Sequence, residues 1–270
     1  MTRKQSQDKR VLALQKELAS VQKRESALDD QAIKSHPSAW HKELEQKIPP
    51  NVLNGLEAAF SRGFSMVLEK GSGLIEKSYN LSELQETYTV QNYAAQVRGR
   101  RKELRAISRS SRTAQLGDLA LTTIEGMGLG ALGIGLPDIV LFLGMLLRGI
   151  YQTALRYGFQ YDTPEEKMLI LKMIEAALSK GDSRTASSAQ VDALLLSPFI
   201  PEGETLQTQI ERTGHALAVD MLLLKFIQGL PLVGIVGGIG NPIYYHKIMN
   251  YVQLKYQKRY LLSLTFYTTK

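Results

Sequence analysis

Two glycine-rich apolar segments constrain the fold of this chain more than any other feature of its sequence. The first, residues 126–147, contains one charged side chain, Asp138, and the second, residues 226–246, contains no formal charge. They hold six and five of the chain's 22 glycines. Glycine costs about 1 kcal/mol relative to alanine inside a soluble helix. The destabilisation caused by so many glycines must therefore be offset, most simply by the close packing of two helices.

The two segments are open to three interpretations. They can be buried hairpins of a soluble helical domain, or hairpins that enter a membrane, where broken helices are tolerated if protein buries their backbone. A phosphate-binding loop is the third, although no strand precedes the glycines. Pro137 and Pro231 interrupt the segments and argue against straight transmembrane helices. The residues expected to contact lipid or a membrane partner are Gly130, Gly133, Gly135, Pro137, Pro231, Gly234 and Gly238.

Apolar side chains recur at helical spacing along almost the whole chain, and no segment alternates as a strand does. The sequence therefore predicts an all-α fold, a multi-helix bundle of packed helical hairpins with two glycine-rich apolar helix-turn segments. Thr163 and Pro164 suit the cap and the first turn of one helix. Residues 181–204 are predicted to form a loop with one short apolar segment. Helices are predicted over much of the first thirty residues, from about 37 to 48, and over 51–78, 82–108, 164–180 and 242–264.

The chain is divided, in this interpretation, into a charged N-terminal helical extension over residues 1–36 and a main helical domain over residues 37–270. The first thirty residues contain no apolar run long enough for the core of a signal peptide, so export is not expected. The absence of cysteine excludes disulfides, thiolate metal sites and a cysteine nucleophile, and it fits a reducing compartment. The four histidines are scattered, so neither a metal nor a cofactor is expected.

Positive charge is concentrated next to the glycine-rich segments. The net charge is +7, and residues 98–112 contain seven basic side chains and one acid. Basic residues that flank apolar segments suit an anionic cytoplasmic membrane surface, and tyrosines suit its headgroup layer. The alternative is a solvated basic helix face with core tyrosines, whereas nucleic acid is an unlikely partner because no recognised module is present. The residues expected to bind headgroups are Arg98, Arg100, Arg101, Lys102, Arg105, Lys255, Lys258 and Arg259.

The helix predicted over 82–108 presents an apolar face made of Leu84, Val90, Tyr93, Ala94, Val97 and Leu104.

The order of motifs around the two segments resembles the EcsC family of bacterial proteins. The likeness covers roughly residues 40–265 and is carried by Gly133–Asp138, Arg156–Phe159, Pro164–Lys167, Leu230–Gly234 and Gly237–Pro242. The family takes its name from a bacterial operon that also encodes an ABC transporter. The resemblance implies a non-enzymatic accessory protein linked to protein secretion, cytoplasmic and peripheral on or partly inserted in the membrane. Its expected partner is an anionic membrane surface or a membrane protein such as the transporter. The resemblance supplies no catalytic residues.

A soluble, hydrolase-like enzyme is the alternative function. It would use acids in apolar surroundings, where burial can raise a carboxyl pKa. The candidates are Glu125, Asp138 and Asp220, although pairing of Asp220 with cations on other helices is also expected.

Overall fold

A computed structural model describes residues 3–34, 48–120, 137–227 and 242–268. All regular structure within these ranges is helical, which confirms the all-α prediction. The helices are α1 (Arg3–Lys34), α2 (Pro50–Met66), α3 (Ser72–Glu76), α4 (Leu81–Arg98), α5 (Arg101–Ala120), α6 (Pro137–Arg156), α7 (Pro164–Leu178), α8 (Gly181–Leu194), α9 (Leu206–Ile227) and α10 (Pro242–Thr268). A π-helical turn, Val67–Gly71, joins α2 to α3.

Helix α7 begins as the sequence predicts. The Thr163 side chain accepts a hydrogen bond of 3.2 Å from the backbone N–H of Glu166, and Pro164 occupies the first turn. This bond satisfies one of the N–H groups that lack an intrahelical partner at the start of a helix. The prediction of a helix from Pro242 is also confirmed, and α10 extends one turn beyond the predicted end to Thr268.

The prediction of one continuous helix over 82–108 is wrong. Gly99 adopts a left-handed conformation with φ of 56° and ends α4, and α5 begins two residues later. Glycine tolerates this conformation because it has no side chain to clash with the backbone. Helices α4 and α5 consequently fold back on each other as a hairpin.

The prediction of a loop over 181–204 is also wrong in its first part, which forms α8. The buried face of α8 is made of Gly181, Arg184, Ser188, Val191 and Leu194, at helical spacing. Because only two of these five are large apolar residues, the pattern does not show the periodicity that reveals a core-facing helix. Residues 195–205 do form the connection to α9.

Helix α10 lies at the centre of the molecule. It packs against α1, α5, α6 and α7, and almost every residue from Tyr244 to Leu261 is buried or half-buried. Its sequence mixes cations, tyrosines and aliphatic side chains on all sides. A polar helix that is buried all round requires a partner for each polar group.

Close helix approach through glycine occurs in the described chain at α2 and α9, which pack together. A Cβ atom added at Gly214 would lie 2.8 Å from Oγ of Ser61 on α2. One added at Gly63 would lie 2.8 Å from Cδ1 of Leu143 on α6. In both places glycine leaves room for a neighbouring helix.

The helices that border residues 121–136 and 228–241 converge at one end of the bundle. Helix α5 is antiparallel to α10, since Leu104 and Leu264 line the same cleft and Gln253 donates a hydrogen bond to the carbonyl of Ser111. Helix α6 runs parallel to α10, because Gly149 lies against Tyr245 and Tyr157 packs on Tyr260, at 6.0 Å between ring centroids.

In the same region, Lys247 near the start of α10 bonds Asp220 of α9 at 2.9 Å. The basic residues 98–105 lie at the opposite end of α5, which is about 30 Å long at 1.5 Å per residue. The basic residues 98–105 therefore precede the first glycine-rich segment closely in sequence, but they lie about 30 Å from the end of α5 that leads into it.

Helix α6 contains one window, Ile139–Arg156, that is long and apolar enough to cross a membrane. This is the only such window among the residues described, and 78% of it is buried inside the protein. A core helix of a soluble protein has the same length and composition, so the window is weak evidence for a span.

A pair of glycines with the same backbone conformation allows a test of the packing. Gly158 ends α6 with φ of 79°, and a Cβ added there would lie 2.1 Å from Cζ of Tyr88. Gly203, in the loop before α9, has φ of 77° and open space around it. We expect Gly203→Ala to lower the free energy of unfolding by about 1–2 kcal/mol through left-handed strain alone.

Gly158→Ala adds displacement of the Tyr88 ring, so its loss should exceed that of Gly203→Ala by about 1–3 kcal/mol. Urea unfolding followed by circular dichroism measures both variants. Equal losses in the two variants would contradict the described packing of Tyr88.

Candidate functional site

The hairpin between α4 and α5 forms the most exposed apolar and basic surface in the described chain. On α4, the side chains of Val90, Tyr93 and Val97 are 69%, 69% and 54% exposed. Their spacing of three and four residues places them on one face of the helix. The sequence pattern places these residues on one apolar face with Leu84 and Leu104, which are buried in the structure. The structure divides that set, and half of it faces outward as an apolar stripe.

Cations follow directly after this stripe at the turn around Gly99. Arg98, Arg100 and Lys102 are exposed, and among the described residues no carboxylate pairs with them. Arg101 and Arg105 are also at the surface, but both donate to the buried carboxylate of Glu17 on α1, at 2.5 and 2.9 Å. The five predicted headgroup-binding residues of this region therefore divide into three cations that are unpaired among the described residues and two that hold α1 on α5.

A cleft opens behind the turn, where α1, α4, α5 and the C-terminal part of α10 meet. Its volume is about 330 Å³, which falls in the lower part of the range for small-molecule sites. Most of its lining is apolar, with one guanidinium and one amide. The lining residues are Arg10, Leu14, Ala95, Gln96, Gly99, Leu104 and Leu264.

Lys255 and Lys258, which the sequence predicts to bind headgroups, lie inside the bundle and are paired with acids. Lys255 is fully buried, bonds Glu25 of α1 and approaches Asp192 of α8 to 2.7 Å. Lys258 is mostly buried and bonds the same two acids at 2.7 and 2.9 Å. Burial lowers the pKa of Lys255, but Tyr251, Asp192 and Glu25 more than offset this and raise it above its ordinary value. Both cations are used to hold helices together.

Arg259 is likewise inside the protein. Its Nη1 donates to both carboxylate oxygens of Glu166 on α7, at 2.8 and 2.9 Å, and Tyr256 donates to Oε1 at 2.8 Å. The guanidinium also lies 4.0 Å from the ring centroid of Phe159. The cation–π contact and the carboxylate both stabilise the buried guanidinium, although its Nε has no hydrogen-bond partner among the described residues. The predicted role of Arg259 in headgroup binding is therefore replaced by a structural one.

Asp220 is buried between two lysines, as its predicted pairing requires. Its carboxylate accepts hydrogen bonds from Lys180 at 2.7 Å and from Lys247 at 2.9 Å. Burial raises the pKa of Asp220, but Lys247 and Lys180 outweigh burial and hold it below its ordinary value of 3.8. The expectation of a raised pKa is wrong for this residue. An acid that stays ionised in two salt bridges is poorly suited to act as a general acid.

The remaining predicted residues are not described in full. Glu125, Gly130, Gly133, Gly135, Pro231, Gly234 and Gly238 lie outside the described residues, and so does the predicted helix that contains Trp40. Pro137 is the first residue of α6, and the backbone of Asp138 follows it in the same helix.

A tyrosine cluster next to α3 is the main buried polar group that the sequence did not indicate. The hydroxyl of Tyr79 donates to that of Tyr161 at 3.1 Å, which donates to Oε1 of Glu76 at 2.6 Å. Tyr151 stacks on Tyr161 with ring centroids 4.2 Å apart. Burial raises the pKa of Tyr161 and Tyr151 above the ordinary value, so neither is a base near neutral pH. The cluster ties α3 to α6 and to the turn before α7.

The described part of the chain contains no group of three or more His, Cys, Asp or Glu side chains placed to bind a metal ion.

The sequence profile of the EcsC protein family matches residues 13–261. The match begins inside α1, which the sequence interpretation assigned to an extension, and it ends in α10. No curated protein and no solved structure matches the chain.

The salt bridges of Asp220 predict a defined pH dependence. Because its pKa is lower in the folded protein than the ordinary 3.8, Asp220 contributes stability that is complete above that value. This stability is lost as the pH falls through the folded pKa. We expect Asp220→Asn to lower the free energy of unfolding most at neutral pH.

The difference between wild type and Asp220→Asn should shrink as the pH falls below about 4. Urea unfolding at a series of pH values from neutral to acid measures the difference. Asp182→Asn, which changes an exposed acid in the first turn of α8, is the control. A difference for Asp220→Asn that is independent of pH would contradict the assignment.

Proposed function

Because the chain belongs to the EcsC protein family, we propose that it is a non-enzymatic accessory protein that attaches to the cytoplasmic face of a membrane. The attachment surface is the corner between α4 and α5, defined by Val90, Tyr93 and Val97 and by Arg98, Arg100 and Lys102. We further propose that its membrane partner is the ABC transporter or secretion machinery that the family resemblance implies.

The observation that carries this proposal is the exposed apolar stripe next to three cations for which the described residues supply no carboxylate partner. An exposed apolar group gains free energy when it leaves water, at about 25 cal/mol per Å². Tyrosine suits the boundary between headgroups and acyl chains, since its ring is apolar and its hydroxyl is polar. Each cation near an anionic membrane surface contributes about 1 kcal/mol.

The pairing of the other predicted cations also favours the α4–α5 corner as the attachment surface. Lys255, Lys258 and Arg259 are neutralised by Glu25, Asp192 and Glu166 inside the bundle. Pairs of this kind leave no net charge to attract a membrane. By contrast, the charge of Arg98, Arg100 and Lys102 remains available at the surface.

The proposal does not require the glycine-rich segments to enter lipid. Their flanking helices converge at the end of α5 that lies about 30 Å from the corner. Corner and segments can meet one membrane only if α5 lies along the membrane surface. Contact of the segments with lipid or with a membrane protein stays a separate proposal.

Co-sedimentation with vesicles tests the attachment. The wild-type protein should pellet with vesicles of phosphatidylglycerol and phosphatidylcholine at low salt, and less with phosphatidylcholine alone or at high salt, because salt screens charge. The triple variant Arg98→Gln/Arg100→Gln/Lys102→Gln should lose on the order of a hundredfold in vesicle affinity, from about 1 kcal/mol per charge.

The matched control is Arg62→Gln/Lys70→Gln/Lys77→Gln, which removes three exposed cations elsewhere on the surface. It should keep most of the affinity, while Val90→Ser/Tyr93→Ser/Val97→Ser should lose about tenfold or more through the apolar contact. The proposal fails if wild type does not pellet with anionic vesicles, or if the two charge variants lose affinity equally.

A further inference from the structure

The cleft behind the α4–α5 turn has an apolar interior and a single cation. Leu14 of α1, Ala95 of α4, Leu104 of α5 and Leu264 of α10 supply its apolar wall, and all four are buried side chains. They come from four helices that meet here. Such a wall can bury an aliphatic chain, but it offers no hydrogen bonds to a polar ligand.

Arg10 is positioned at this cleft by the conformation of Gly99. A Cβ atom at Gly99 would lie 2.7 Å from both Cγ and Nε of Arg10, so only glycine leaves space for the arginine stem. Nε of Arg10 is buried and has no hydrogen-bond partner within the described chain. A buried guanidinium N–H without an acceptor is unfavourable, since it has lost water and gained nothing in exchange. Because this atom is closed to solvent, an anionic oxygen in the cleft would reach only the other nitrogens of the guanidinium, which lines the cleft.

The surroundings of the cleft favour an anion. Gly99 lies between Arg98 and Arg100, which are exposed and have no carboxylate partner in the described residues. Glu17, the buried acid on this part of α1, is already bonded by Arg101 and Arg105. Glu103, the acid in the first turn of α5, does not line the cleft, and its Oε2 is buried without a hydrogen-bond partner among the described residues. Positive charge therefore dominates where the cleft meets the surface.

We propose that this cleft binds one aliphatic chain of an anionic amphiphile, with the carboxylate or phosphate group at the guanidinium of Arg10. The chain lies among Leu14, Ala95, Leu104 and Leu264. A free fatty acid and an anionic phospholipid share this chemistry. The inference extends the proposed function, because it adds a lipid-chain site to the corner through which the protein attaches to membranes.

Titration with soluble amphiphiles below their micelle concentration tests the site without a membrane. Isothermal calorimetry should give one dodecanoate per protein, with dodecyltrimethylammonium binding at least tenfold more weakly and butanoate not detectably. These three probes separate the need for a negative head from the need for a chain. Equal affinity for the two long-chain probes, binding of butanoate, or no binding of dodecanoate would each overturn the inference.

Dihexanoylphosphatidylglycerol, titrated in parallel, identifies the source of the amphiphile. Compared with hexanoate, which has the same chain length, tighter binding of this lipid assigns the site to anionic phospholipid, and tighter binding of hexanoate assigns it to free fatty acid.

Two variants locate the binding in the cleft. Arg10→Gln should lower dodecanoate affinity at least tenfold and remove the preference over dodecyltrimethylammonium, while Lys9→Gln, an exposed neighbour with the same change in charge, should change neither. Ala95→Leu should weaken both long-chain probes by occupying the cleft. Unchanged selectivity in Arg10→Gln would overturn the inference.

Since the head-group series uses wild-type protein, the inference stays testable if a variant does not fold. The results also separate the two proposals. Dodecanoate binding without vesicle pelleting refutes only the membrane attachment, and pelleting without dodecanoate binding refutes only the cleft.

Discussion

The structure depends on neutralising the cations of a helix that is buried on all sides. Lys255 and Lys258, one turn apart on α10, share two carboxylates, Glu25 from α1 and Asp192 from α8. Arg259 is matched by Glu166 of α7, and Lys247 by Asp220 of α9. A buried cation without its partner typically costs 3–5 kcal/mol. These acids come from four other helices and fix the position of each of those helices relative to α10. A shift along α10 would leave a buried charge without its partner.

This use of charge explains which basic residues remain exposed at the surface. The sequence shows 33 Lys and Arg without showing which are committed inside the fold. At the α4–α5 corner, two arginines hold α1 through Glu17, and three neighbouring cations stay unpaired among the described residues. The same stretch of chain thus supplies cations both to the fold and to the surface. The exposed Val90, Tyr93 and Val97 lie beside the unpaired set and distinguish this corner from an ordinary solvated basic surface.

The sequence predicts the parts of the fold that depend on local chemistry. The all-α class, the cap at Thr163 and the start of α10 at Pro242 follow from spacing, capping and proline placement. It does not predict α8, because the buried positions of that helix include Arg184 and Ser188, whose partners come from distant parts of the chain. The sequence pattern also predicts one helix in place of α4 and α5, because the presence of Gly99 does not by itself show that its φ is positive. The roles of Lys255 and Arg259 were misassigned for the same reason: burial of a cation is decided by acids up to 230 residues away.

The pairing of α1 with α10 has a consequence for synthesis of the chain. Glu25 and Lys255 are 230 positions apart, and Arg24 and Gln257, which share a hydrogen bond of 2.9 Å, are 233 apart. Chains emerge from the ribosome at about 5–20 residues per second. The helices in between must wait for α10 on the order of ten seconds or more before their acids meet their cations. Until then the apolar faces that α10 covers stay open to solvent and exposed to non-native association for most of the synthesis.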